Sequence, residues 1–90
     1  MEIYLLTQSS KRGYDTYDSC VVIASSPEKA KLMHPRGDYS WTGYVWKFGE
    51  ASWCFDDRTW ANPEDISVEW IGTAPPDATP KVILSSFNAG

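Results

Sequence analysis

Ninety residues with 42% hydrophobic and 22% charged side chains suit one small core, so a single folded domain is expected and a disordered chain is excluded. Eight Lys and Arg stand against twelve Asp and Glu, a net charge of -4, and the bases are scattered rather than clustered. That balance argues against direct binding to a nucleic-acid backbone or an anionic membrane surface.

Residues 1–8, MEIYLLTQ, are apolar on both faces and bounded by Ser9, Ser10 and Gly13, which predicts a central strand. Residues 18–24, DSCVVIA, are rich in β-branched side chains and predict its antiparallel neighbour across a nine-residue loop. Ser26 as N-cap and Pro27 at the first helical position announce a short helix, expected to run to about His34. Pro35 and Gly37 mark its end. Ala30, Met33 and His34 share the face that would meet the sheet.

Residues 38–62 carry four of the five tryptophans without a sustained period. Alternation of Tyr44, Trp46 and Phe48 predicts a strand, with a turn at Gly49 and a return strand over residues 52–55. After Asn62 and Pro63, residues 66–73 alternate as a half-buried strand, with Ile66, Val68 and Trp70 on one face. Residues 74–80, APPDATP, form a stiff connector, and residues 81–87, KVILSSF, predict a last strand. The fold class expected is α+β: a small antiparallel sheet of about four to five strands with one short helix packed on one face.

Cys20 lies in an apolar strand, and a small free thiol is a common core residue. With no signal-like start and no apolar run of about 18 residues, the expected setting is a reducing cytoplasm where Cys20 and Cys54 stay thiols. His34 is the one histidine, and Cys54, His34 and an Asp would spell a thiol-nucleophile set. A helix-end histidine is the more ordinary reading, so no catalytic residue is assigned. One His and two distant Cys match no metal spacing, and the glycines are isolated, so neither a metal nor a phosphate loop is expected. Glu64, Asp65, Glu69 and Asp77 make the last third acidic, although -4 is weak for mimicry of a nucleic acid.

Two segments fit recognition. Arg12, Tyr14, Asp15 and Tyr17 fall in the first loop, where Arg and Tyr suit binding anchors and Gly13 and Asp15 suit a well-knit turn equally. Arg36, Trp41, Tyr44, Trp46 and Arg58 fall in the aromatic segment, which reads first as core and second as protein contacts or a stacking cleft.

MEIYLLTQ at residues 1–8, RGYDTYDS at 12–19 and ILSSFNAG at 83–90 together resemble a family of short bacteriophage and prophage proteins. The resemblance implies context rather than site residues: such proteins often bind and inhibit a host factor, including defence components such as CRISPR-Cas. The leading expectation is thus an interaction protein acting on a host protein in the bacterial cytoplasm, without a cofactor and not an enzyme. The alternative is a binder that sequesters a nucleotide or other small molecule between aromatic rings and arginines. Third comes a small enzyme using His34 or Cys54. Oligomeric state is left open, a homodimer included.

Overall fold

The computed structural model describes residues 1–11, 16–37, 39–48 and 59–88. Strands β1 (Glu2–Thr7), β2 (Thr16–Ala24), β5 (Ser67–Thr73) and β6 (Lys81–Asn88) form one antiparallel sheet in the order β5-β1-β2-β6. A second sheet pairs β3 (Tyr39–Trp41) with β4 (Trp46–Phe48), and a four-residue helix α1 (Pro27–Ala30) links β2 to it. This is the expected α+β class, with the doubly apolar segments β1 and β2 in the middle of the sheet. Strands apolar on both faces avoid water best where both faces are shielded.

Register sorts the side chains. Tyr4 pairs with Val22 and Trp70, and Leu6 with Cys20 and Val68, so these residues share one face. There Tyr4, Leu6, Cys20, Val22 and Ala24 pack with Ala30, Trp46, Trp60, Ala61 and Ile66 in one buried cluster. The opposite face carries the cross-strand pairs Ile3 with Ile23 and Leu5 with Val21, of which only Ile23 is fully buried.

α1 is shorter than the sequence predicts. Ser26 Oγ accepts from the Lys29 N–H at 3.2 Å, as an N-cap should. Beyond Ala30 the bonds tighten to three-residue spacing, Leu32 N–H to the Lys29 carbonyl and Met33 N–H to the Ala30 carbonyl. Pro35 disfavours helical geometry at His34, so the α-helix closes a turn early. The predicted face survives this, with Ala30 and His34 buried and Met33 half-buried.

The hairpin also differs from expectation. β4 pairs with β3, Tyr39 opposite Phe48 and Trp41 opposite Trp46, across a turn at residues 42–45 that the sequence did not predict. Thr42 closes it: its Oγ1 donates to the Val45 carbonyl at 3.0 Å and accepts from the Val45 N–H at 3.2 Å. Gly43 sits at φ +105°, a conformation that only glycine adopts freely. Three-residue β3 is too short to show a period, which hid it. The turn expected at Gly49 and the return strand expected over residues 52–55 lie outside the described residues.

β5 begins one residue later than predicted, at Ser67, and a bulge displaces Ile71 from the register between Tyr4/Trp70 and Ile3/Gly72. The alternation breaks at Ile71, and Trp70, expected on the buried face, stands 60% exposed on this outer strand.

Trp46 joins the hairpin to the core, its Nε1–H donating to the Ala61 carbonyl at 2.8 Å from a side chain with no exposed surface. Trp46→Ala should lower unfolding free energy by about 3–5 kcal/mol in urea denaturation. Trp46→Phe, which keeps a ring but orphans the Ala61 carbonyl, should lower it by about 1–3 kcal/mol.

Candidate interaction surface

The tryptophan segment turns mostly inward. His34, 1% exposed, is stacked on Tyr39 with ring centroids 4.3 Å apart and meets Trp46 edge-on at 5.2 Å, Trp60 at 6.5 Å and Tyr17 at 6.2 Å. Its Nδ1 accepts from the Arg36 N–H at 3.1 Å, and its carbonyl accepts from the Gly37 N–H at 2.9 Å. The accepting Nδ1 assigns the proton of a neutral imidazole to Nε2. So placed, His34 is a core ring that orients the turn after α1. The acids that could serve as its partner, Asp38, Asp56 and Asp57, lie outside the described residues, as does Cys54.

The predicted contact residues that the structure describes separate into three groups. Tyr44, at the hairpin tip, is 84% exposed, and Arg36 is exposed with its guanidinium carbon 5.4 Å from the centre of the Tyr39 ring. Trp41 and Tyr17 are half-buried: Trp41 lies edge-on to Trp46 at 5.3 Å, and Tyr17 sits against Phe87 at 4.8 Å. Trp46 is a correction, because its completely buried ring has no surface to offer a partner. Arg12, Tyr14, Asp15 and Arg58 lie outside the described residues. Described residues nevertheless close the base of the first loop. Gln8 Nε2 donates to the Lys11 and Tyr17 carbonyls, both at 2.7 Å, while its Oε1 accepts from the Lys11 N–H at 2.7 Å.

The larger exposed apolar surface falls where sequence reasoning placed none of it. Trp70 (60% exposed) and Ile71 (47%) stand on β5, and Ile83 (48%), Leu84 (67%) and Phe87 (46%) on β6. Among the described residues both strands are outermost in the sheet, so each also presents an outer backbone edge. On β6 a second bulge, between Val82 and Leu84, throws Ile83 out of register. The available signal was positional: KVILSSF is apolar at consecutive residues, and if it is an edge strand then some of them must face water. On β5 the Trp70 Nε1–H donates to Glu2 Oε2 at 2.8 Å, which holds the Glu2 carboxyl below its usual range.

Among the described residues no group of three or more His, Cys, Asp or Glu is arranged to hold a metal ion, and no helix is long and apolar enough to cross a membrane. Cys20 is free and buried under the sheet, and desolvation pushes its thiol up to about 12. Comparison with protein-family models, with curated proteins and with solved structures gives no match to this chain.

In a Cys54→Ser variant, the remaining Cys20 should stay inert to a thiol reagent at pH 8 until denaturant is added. The unfolded thiol ionises near 8.5, so stability linked to Cys20 is intact below that pH. It should fall by up to about 1.4 kcal/mol per unit as pH rises toward the folded value of about 12. Urea midpoints between pH 8 and 10 should therefore drop more steeply than those of Cys20→Ala.

Proposed function

We propose that this chain is a small phage-type interaction protein that binds a host protein and inhibits or modulates it. One observation carries the reading: a sheet whose outer strand β6 exposes Ile83, Leu84 and Phe87 beside its outer backbone edge. Exposed apolar groups along such an edge suit addition of a partner strand, with main-chain hydrogen bonds giving affinity and alternate side chains giving selectivity. Tyr44 on the hairpin tip and Arg36 add two residues of the types that dominate binding energy. In this reading the contact surface centres on β6 rather than on the tryptophans.

The resemblance of residues 1–8, 12–19 and 83–90 to phage proteins supports a bacterial host as the setting. A defence component such as CRISPR-Cas is the narrower form of the proposal and rests on that resemblance alone. Blocking by occupancy needs no chemistry from the chain, which fits a fold whose one histidine is spent on packing.

Immobilised chain should retain a discrete host protein from lysate, and Leu84→Glu combined with Phe87→Ser should abolish that retention. Leu84 is 67% exposed, whereas Phe87 is 46% exposed and rests on Tyr17, so the variant should lose about 1–2 kcal/mol and stay folded by circular dichroism. Retention undiminished by the double substitution would remove β6 as the contact surface.

A further inference from the structure

The turn after α1 and the start of β6 face each other across a pocket of about 450 Å³, inside the range of about 300–1,000 Å³ found for small-molecule sites. Arg36 lines it from the turn and Lys81 from the first position of the strand. Among the described residues no carboxylate lines the pocket or forms an ion pair with either cation. On a chain of net charge -4, two such cations in one concavity make a local positive field.

The cations are held differently, and the difference is chemical. Arg36 lies over Tyr39, Tyr39 is stacked on the buried His34, and the Arg36 backbone N–H is tied to His34 Nδ1. Gly37, at φ +84°, turns the chain straight after it. A planar guanidinium resting on a ring stack anchored in the core loses little freedom on binding, and its fork matches paired oxygens. Lys81 follows Pro80 at the first position of β6 and supplies a point charge. Leu32, half exposed, with Met33 and Val82 gives the pocket an apolar wall.

We infer that this pocket binds a phosphate monoester carrying a flat apolar body, of which a nucleoside monophosphate is the simplest example. A phosphate monoester holds about -1.5 to -2 charges at neutral pH, which matches two cations better than a single carboxylate does. Arg36 takes two phosphate oxygens side by side, Lys81 neutralises the remaining charge, and the body lies against Leu32 and Met33. This site is separate from the outer edge of β6 and stands or falls independently of the protein partner. It also differs from the stacking cleft that the sequence left as an alternative, since Trp46 and Trp60 are completely buried.

Titration of the whole chain with AMP, adenosine and inorganic phosphate, followed by backbone amide NMR, tests it. AMP should saturate with shifts centred on residues 33–39 and 80–82, and bind at least about tenfold more tightly than adenosine or phosphate alone. Arg36→Ala with Lys81→Ala should weaken AMP by at least about tenfold without moving the unfolding midpoint, and added salt should weaken the parent's binding. If the double variant fails to fold, Lys81→Gln alone should still weaken AMP several-fold. Any of three results would overturn the proposal: no saturation by about 10 mM AMP, AMP no tighter than phosphate, or substituted chains that bind AMP as the parent does.

Discussion

The Trp46 indole donates its N–H to the Ala61 carbonyl, fifteen residues away in sequence, and this bond holds a two-stranded hairpin under one face of the four-stranded sheet. Around it, Trp46, Trp60, Tyr39 and Tyr17 enclose His34, so five rings from four separate parts of the chain form one cluster. A 90-residue chain has little interior to spare, and few side chains remove as much apolar area from water as tryptophan. The helix is too short to cover the sheet, and this aromatic cluster takes over the task. With these rings inside, the exposed apolar surface lies elsewhere.

That surface is on the sheet's own periphery. β1 and β2 are covered by neighbours on both sides, whereas β5 and β6 leave Trp70, Ile71, Ile83, Leu84 and Phe87 partly in water. Bulges at Ile71 and Ile83 deepen this exposure by displacing one apolar residue on each outer strand from the inward and outward alternation. An edge strand with few charges is an aggregation liability unless it has an occupant. β6 carries charge only at Lys81, and that same lysine lines the pocket opposite Arg36. The apolar edge and the cationic pocket therefore share a strand while offering different chemistry.

His34 shows how one residue serves two levels of organisation. Its ring fills the aromatic cluster, while its Nδ1 and carbonyl accept two backbone N–H groups of the turn that positions Arg36. Packing and site geometry are thus coupled through a single imidazole. A side chain that looked like the best candidate for chemistry instead builds the platform on which a charged neighbour stands.

Much of the architecture was legible from residues in order: the doubly apolar β1 and β2, the Ser26 cap with Pro27, the stop before Pro35, and the strand character of residues 66–73 and 81–87. These features are local, written in periodicity, capping and backbone restriction within a few residues. The pairing of β4 with β3 was not legible, because three-residue β3 has no period and the placing of its hairpin depends on what Trp46 packs against. Nor could spacing tell Trp46 from Tyr44, two positions apart, one with no exposed surface and the other at 84%. Which strands became edges, and so which apolar residues met water, followed from the sheet order β5-β1-β2-β6, a long-range property that no window of sequence contains. The meeting of Arg36 with Lys81 has the same origin: composition supplied scattered cations, and only tertiary pairing of the turn with β6 brought two of them to one pocket.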